Sequence, residues 1–250
     1  MTERLFDIPR DVVLPVETVA VRLDAAPHPF ETENGVEIDA NWAREKAANP
    51  ALFDGAMVLL SRLVYAGRRL EGVGHLIRYA TFLHWRRHRP AVAGHTFAHA
   101  MLVTADNALV AVRMGAHTAN PGNVYFAAGS FEPMDFTGGF ADVDSNMTRE
   151  VREETGLDLA PLPRDPNYHV LATQVGTVIF RRFYLPFDAA EAARQIEEHV
   201  ARDPDPEVVG PVVIRSPADL PEGILPHMLP LIEWHFADGA TGRAGAVAPA

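Results

Sequence analysis

The chain contains no cysteine among its 250 residues. Disulfide bonds, zinc–cysteine sites and thiol nucleophiles are therefore excluded. It also lacks a long apolar run, since the longest (AMVLLSRLVYAG, 56–67) is interrupted by Arg62 and falls well short of the ~20 residues that span a bilayer. The N-terminal segment has neither an apolar core nor a small-residue cleavage site, so we expect no signal peptide and a cytoplasmic protein.

Positive charge is also scarce. Lysine and arginine total 22 against 33 aspartates and glutamates, which gives a net charge of −11 at pH 7. Such a surface repels nucleic acid and anionic membranes, so we expect neither as a partner. An anionic small-molecule substrate would need clustered arginines or a bound metal ion to reverse the local charge. With 48% hydrophobic residues, the composition is that of a soluble globular protein with one large domain, alone or with a smaller companion.

Strand and helix patterns interleave along the chain, which predicts the α/β class with a mixed sheet covered by helices on both sides. The patterns predict strands at 11–23, 55–67, 68–85, 99–114, 123–129, 168–187 and 207–215, and helices at 37–50, 145–155, 188–202 and 226–236. Residues 130–145 are polar and rich in glycine, which predicts a long loop. The Pro/Gly-rich joint at 88–94 predicts an N-terminal β-rich α+β unit over residues 1–90 and a main domain over 91–237, followed by a disordered tail at 238–250.

The stretch Thr148–Leu157, TREVREETGL, has the densest charge pattern in the chain. On a helix its carboxylates, Glu150, Glu153 and Glu154, share an arc of roughly 100°. Like charges at i,i+4 destabilise an isolated helix by roughly 0.2–0.5 kcal/mol, and acidic groups near a helix C-terminus oppose its dipole. Two interpretations are open at this point: a solvated charged helix, or a set of carboxylates that binds a cation such as Mg²⁺.

The surroundings of this stretch favour the second interpretation. A strand ends at Gly129 upstream, and the predicted helix ends at Gly156, a residue suited to a left-handed C-cap. This loop–helix–loop resembles the Nudix box, G-x5-E-x7-R-E-U-x-E-E-x-G-U, in which U is aliphatic. The second half matches at every specified position, namely Arg149, Glu150, Val151, Glu153, Glu154, Gly156 and Leu157.

The first half departs from that pattern. After Gly129 and a spacer of five residues, Asp135 stands where the pattern has glutamate. Thirteen residues then separate Asp135 from Arg149, where seven are usual. We therefore expect six extra residues to be accommodated in the loop, with the helix intact.

The resemblance implies an α/β/α sandwich and hydrolysis of a nucleoside diphosphate linked to another moiety. It also implies that Glu150 and Glu154 bind Mg²⁺ or Mn²⁺ directly, with Glu153 as a further ligand and the backbone of Gly129 near the metal. Arg149 would orient the glutamates. A metal of this kind neutralises charge on phosphate oxygens and lowers the pKa of a bound water.

A general base in this family often comes from a glutamate outside the box. Glu207, at the start of the strand predicted at 207–215, is the preferred candidate over Glu197 and Glu198. The alternative is that Glu207 belongs to a solvated acidic loop without a catalytic role. Asp135 and Arg182 are further candidates for substrate contact. Arg181, next to Arg182, and the basic run HWRRHR (84–89) could also touch substrate or could simply be solvated.

The segment Phe53–Gly55 resembles one that precedes the Nudix domain in some UDP-sugar pyrophosphatases. The N-terminal unit could serve as a lid, as a base-recognition surface or as part of a homodimer interface, and these alternatives stay open. The sequence thus predicts a metal-dependent pyrophosphohydrolase, with a nucleotide-sugar as one candidate substrate. The alternative is a catalytically weak Nudix-fold protein that binds nucleotides or has a regulatory role.

Overall fold

The structure is a computed structural model that describes residues 5–118 and 120–238. Its helices are α1 (Pro29–Glu33), α2 (Gly35–Ala48), α3 (Tyr79–His88), α4 (Val143–Thr155), α5 (Ala189–Val200) and α6 (Met228–Asp238). Its strands are β1 (Phe6–Asp7), β2 (Val13–Val16), β3 (Thr18–Asp24), β4 (Ala56–Ala66), β5 (Arg69–Arg78), β6 (Thr96–Val103), β7 (Leu109–Met114), β8 (Val124–Tyr125), β9 (Phe136–Thr137), β10 (Phe140–Ala141), β11 (Tyr168–Ala172), β12 (Thr177–Tyr184) and β13 (Val208–Ile214).

The strands form two mixed sheets. The first has the order β1-β4-β5-β3-β10-β9, and the second has the order β13-β7-β6-β12-β11-β2, with β8 paired to β7. Parallel pairing occurs between β6 and β12 and between β3 and β5, whereas β6 and β7 are antiparallel. The predicted α/β class with mixed sheets is confirmed.

Helices cover both faces of the second sheet because side chains of β6 alternate between them. Ala98, Ala100 and Leu102 face a core that includes the buried sides of α4 and α5. Met101 and Val103 face a separate core formed with α6. The predicted arrangement of helices on both sides of a sheet is therefore observed here.

The two sheets exchange strands across the predicted boundary at residue 90. Strand β2 joins the second sheet through β11, and the hairpin β9–β10 joins the first sheet through β3. The core beneath α4 also contains Val21, Val58 and Leu60 from the first sheet. The division into units at 1–90 and 91–237 stays a prediction, and its predicted tail lies outside the described residues apart from Asp238, at the end of α6.

Two local predictions need correction. The strand predicted over 68–85 ends at Arg78, and α3 follows at once because the backbone N–H of Ala80 is capped by Asp54 Oδ1 at 2.8 Å. The predicted loop at 130–145 contains a 3₁₀ turn at Pro133–Asp135 and the hairpin β9–β10, and α4 already begins at Val143. Among the described residues, no helix is both long and apolar enough to cross a membrane.

Candidate active site

Helix α4 is fixed at both ends by its own sequence. Asp142 accepts a hydrogen bond from the Ser145 N–H at 3.0 Å, and Gly156 ends the helix in the left-handed conformation with φ 72°. Val143, Met147 and Val151 recur at a helical spacing and are buried in the core. Packing of this apolar face turns the neighbouring face, which bears the glutamates, toward an open pocket.

The three glutamates of α4 are not equivalent. Glu150 and Glu154 are buried, whereas the side chain of Glu153 is 59% exposed at the rim. The backbone of Ala128 favours the ionised form of the Glu154 carboxylate, but Glu154 Oε2 is buried without a hydrogen-bond partner among the described residues. Two carboxylates thus lie largely out of water with one oxygen unsatisfied.

Gly129 allows the strand end to approach Glu150. A Cβ atom at position 129 would lie 1.8 Å from Glu150 Oε1, so any larger residue would displace the Glu150 carboxylate from its present position. Glycine serves close approach here and not an unusual backbone angle. The backbone of the 128–129 segment forms one wall of the pocket.

Arg149 connects three acidic groups. Its guanidinium lies 2.8 Å from Glu150 Oε1, 3.3 Å from Glu153 Oε2 and 3.0 Å from Asp135 Oδ2. The planar guanidinium can donate several hydrogen bonds at once, so Arg149 fixes the positions of the Glu150 and Glu153 carboxylates. These contacts put Arg149 in a position to orient the glutamates, and that role stays a prediction.

Asp135 lies behind the site and not in it. Its side chain is only 2% exposed, and it accepts hydrogen bonds from the Glu132 N–H, Asn146 Nδ2 and Arg149. The side chain of Asp135 is fully used in holding Arg149 and the turn, so we assign it a positioning role in place of the predicted substrate contact.

The pocket has a volume of about 360 Å³ and is built by both halves of the chain. Its acidic side chains are Glu132, Glu150, Glu153, Glu154 and Glu207. The pocket is also lined by Arg149 and Gly129, which the sequence named as an orienting group and a candidate metal ligand. Further lining residues are Asn120, Tyr125, Phe53, Gly55, Met57 and Tyr79. The pocket therefore brings Glu207 and the Phe53–Gly55 segment together with the glutamates of α4.

Burial dominates the electrostatics of this pocket. It raises the pKa of Glu150 to about 7, an effect that Arg149 partly offsets. It also raises the pKa of Glu154 well above its usual value, and the neighbouring charges of Glu150 and Glu207 act in the same direction. Nearby positive charge would therefore stabilise the ionised forms of Glu150 and Glu154.

Arg182 lies elsewhere. It forms an ion pair with Asp165 at 2.7 Å, and its guanidinium lies 4.4 Å from the centre of the Trp234 ring. Arg181 is likewise paired, with Asp144 at 2.8 Å. Neither arginine lines the pocket, so the predicted substrate contact of Arg182 is replaced by a structural role.

Glu197 and Glu198 lie on α5, outside the pocket lining. Asn120, Tyr125 and Tyr79 line the pocket but were not predicted, because no motif or spacing in the sequence marks them. Among the described residues, no group of three or more histidine, cysteine, aspartate or glutamate side chains is already arranged to hold a metal ion. The donors are carboxylates, and the unsatisfied Glu154 Oε2 and raised pKa values fit a hard cation.

No protein-family model and no curated protein matches the chain. Solved structures do show similarity over part of it. A MutT protein from Methanosarcina mazei Go1 is 15% identical over 58% of this chain and 95% of its own, with a TM-score of 0.39. An Ap4A hydrolase from C. elegans is 11% identical over 59% of this chain and 98% of its own, also with a TM-score of 0.39.

A Nudix hydrolase from Nitrosomonas europaea is 15% identical over 62% of this chain and 93% of its own, with a TM-score of 0.36. Identities and TM-scores in this range give no information on substrate.

Proposed function

We propose that this chain is a metal-dependent pyrophosphohydrolase that cleaves the phosphate anhydride of a nucleoside diphosphate linked to another moiety. The observation that carries the proposal is the pair of buried carboxylates, Glu150 and Glu154, which line an open pocket with raised pKa values and one unsatisfied oxygen. Burying charge without compensation is costly, so a bound cation would stabilise this pair in its ionised form.

The residues that would hold Mg²⁺ or Mn²⁺ are Glu150, Glu154 and Glu153, together with the backbone carbonyl of Gly129. A bound ion of this kind supplies neutralisation of phosphate charge and a lower pKa for an attacking water. This also explains how a chain of net charge −11 can accept an anionic substrate.

The protein's own groups have distinct roles in this scheme. Arg149 keeps Glu150 and Glu153 oriented, with Asp135 behind it. Glu207 is the proposed general base: its carboxylate takes a proton from water as the oxygen bonds to phosphorus and the bridging P–O bond breaks. Phe53 and Tyr79 form part of the pocket wall.

The test is turnover by purified protein of nucleotide-sugars, dinucleotides, ADP-ribose and coenzyme A with Mg²⁺ or Mn²⁺. We expect cleavage of at least one compound and a loss of at least ~100-fold in Glu154→Gln, as metal-site ligands have no substitute in the pocket. The matched control is Glu197→Gln, on the exposed side of α5, which should retain full activity. Metal binding without turnover across the panel would overturn the proposal in favour of a nucleotide-binding or regulatory protein.

A further inference from the structure

A second cavity of about 290 Å³ opens beside the acidic pocket and shares a wall with it. The shared residues are Asn120, Tyr125, Ala128, Gly129 and Ser130. A ligand bound over Glu150 and Glu154 would therefore lie next to this second cavity. The lining of the second cavity is aromatic instead of acidic.

Aromatic rings define the shape of this cavity. The Phe97 ring stacks on His95 with centroids 5.2 Å apart and an interplanar angle of 22°. It meets His227 edge-on, with centroids 5.4 Å apart and an angle of 81°. Phe82 closes the side formed by α3. Aromatic rings that line a cavity offer a surface on which a planar ring can stack or make edge contacts.

Hydrogen bonds fix which nitrogen of His227 carries its proton. The Phe126 carbonyl only accepts, so His99 Nδ1, 3.0 Å away, must carry the proton and donate it. His99 Nε2 is then an acceptor, and the Nε2 of His227, 3.0 Å from it, must donate. In the neutral ring, Nδ1 of His227 is left with a lone pair.

Both rings are neutral near pH 7. Burial lowers the pKa of His227 to about 4 and that of His99 well below its usual value. His227 lines the cavity, and in the part of the chain that the structure describes no hydrogen bond reaches its Nδ1. Nδ1 of His227 is thus a fixed acceptor available to a ligand.

Two arginines give the cavity a positive rim. Phe82, Arg86 and Arg89 follow one another at i, i+4 and i+7 on or just beyond α3, and all three line the cavity. Arg86 is half-buried with its guanidinium 5.7 Å from the centre of the Phe82 ring. In a chain of net charge −11, two cations at one mouth favour an anionic ligand.

We propose that this second cavity binds the planar base of the nucleotide substrate, with an N–H group of the base donated to Nδ1 of His227. The assignment rests on the proposed function for the position of the diphosphate, which lies over the glutamates of α4. Phe97 supplies the stacking surface, and Arg86 and Arg89 attract the anionic nucleotide to the mouth.

The test is calorimetric titration of the full chain with the four common nucleoside 5′-monophosphates and with ribose 5-phosphate, which lacks a base. None of these probes contains an anhydride, so turnover does not interfere. We expect at least one nucleotide to bind about tenfold or more tightly than ribose 5-phosphate, the strength typical of one base stacked on an aromatic ring.

His227→Gln isolates the hydrogen bond, because a glutamine amide can still donate to His99 while the acceptor at the Nδ1 position is lost. We expect the preference for the nucleotide to fall about fivefold, with binding of ribose 5-phosphate unchanged. The best nucleotide methylated at its base N–H should bind wild type about fivefold more weakly and should be no weaker than its parent in His227→Gln. Phe97→Leu should also reduce the preference, whereas His169→Gln and Phe140→Leu, both outside the cavity, should not.

The outcomes separate this inference from the hydrolase itself. Equal binding of nucleotides and ribose 5-phosphate, or a preference unaffected by His227→Gln and Phe97→Leu, overturns the base site even if the protein hydrolyses anhydrides. A base preference that depends on His227 in a protein inactive across the substrate panel supports the base site and overturns the proposed hydrolysis alone.

Discussion

At the scale of single residues, the position of Arg149 depends on a buried aspartate. Asp135 accepts hydrogen bonds from the backbone N–H of Glu132 at 2.8 Å, from Asn146 Nδ2 at 2.9 Å and from Arg149 at 3.0 Å. In Asp135→Asn an NH₂ donor would replace one acceptor and face these donors. We expect the free energy of unfolding to fall by about 2–4 kcal/mol, since a buried charged partner is lost.

Turnover by Asp135→Asn should fall as well, because Arg149 would no longer be held against Glu150. Chemical denaturation and kcat measurements test both effects. The matched control, Asp142→Asn, makes the same change at the N-cap of α4, where asparagine caps as well as aspartate does, so its stability should stay within about 0.5 kcal/mol of wild type. Equal behaviour of the two variants would contradict the positioning role.

Gly129 leads to a second prediction at this scale. A methyl group at this position would lie 1.8 Å from Glu150 Oε1, so Gly129→Ala should displace the carboxylate by an ångström or more. A displacement of that size in a catalytic group costs roughly 100-fold in turnover. Gly35→Ala, where no atom lies within 4 Å of the added carbon, is the matched control. If Gly129→Ala retained wild-type turnover, the present position of the Glu150 carboxylate would not be required for catalysis.

At the scale of elements, local signals account for the predictions that are confirmed. Helix α4 combines an N-cap, an apolar face and a C-terminal glycine within one stretch, so its end at Thr155 follows from sequence, whereas its start lies two residues before the predicted one. Helix α3 has no such local signal: its cap is Asp54, 26 residues before Ala80, and its apolar residues also suit a strand. A contact between residues so far apart depends on the fold of the intervening hairpin and cannot be inferred from spacing.

The six extra residues before α4 form an ordered element. Phe136–Ala141 form a hairpin whose Phe140 pairs with Arg22 of β3, and the Asp142 N–H donates to the Asp135 carbonyl at 2.7 Å across its base. Because that hydrogen bond already holds Asp135 and Asp142 close together, the chain can be rejoined there with little displacement of α4.

Deleting residues 136–141 should therefore leave metal-dependent turnover within about tenfold of wild type, since short changes in a connecting loop have a small entropic effect. The melting temperature should fall, because Phe136 and Ala141 pack on the core and the edge of β3 would be exposed. Thermal denaturation and turnover measurements test this. Loss of all turnover in a folded deletion variant would show that the hairpin shapes the site directly.

At the scale of the whole molecule, the pocket results from the exchange of strands between the two sheets. Phe53 and Tyr79 flank β4 and β5 of the first sheet, whereas Glu207 precedes β13 of the second, yet all three line one pocket. The motif in α4 predicted the glutamates and Arg149, since these lie within one helix. The rest of the wall comes from distant segments, and only the tertiary fold brings them together.

The paired histidines behind the second cavity also connect distant parts of the chain, and they should make stability depend on pH. His99 on β6 and His227 before α6 are buried as neutral rings, and the pKa of His227 is lowered to about 4. Above pH 6.5 the two histidines are neutral in both the folded and the unfolded chain, so the pair's contribution to stability is complete there. Below pH 6.5 the histidines of the unfolded chain bind protons that the folded pair does not, which favours unfolding. That contribution is lost as the pH falls toward 4, by on the order of 3 kcal/mol for His227 alone.

Glu150 has the opposite effect on the pH dependence of stability between pH 4.5 and about pH 7. Its pKa is raised to about 7 in the folded protein, so in the absence of metal the folded state retains a proton that the unfolded state loses as pH rises from about 4.5. The wild-type profile therefore combines effects of opposite sign: Glu154, whose pKa is also raised by burial, acts with Glu150, and His95, whose pKa burial lowers to about 3, acts with the histidine pair. A comparison with His227→Gln isolates the contribution of the histidine pair, because Glu150 is common to both proteins.

We expect the stability lost by wild type between pH 7.5 and pH 5 to be smaller in His227→Gln, as measured by urea denaturation without metal. His88→Gln replaces an exposed histidine at the end of α3 and should retain the wild-type profile. Parallel profiles for wild type and His227→Gln would mean that the pair does not stay neutral on folding. Below pH 6.5 the lone pair assigned to Nδ1 of His227 would then be filled by a proton, and the cavity would present a donor to its ligand where an acceptor is now assigned.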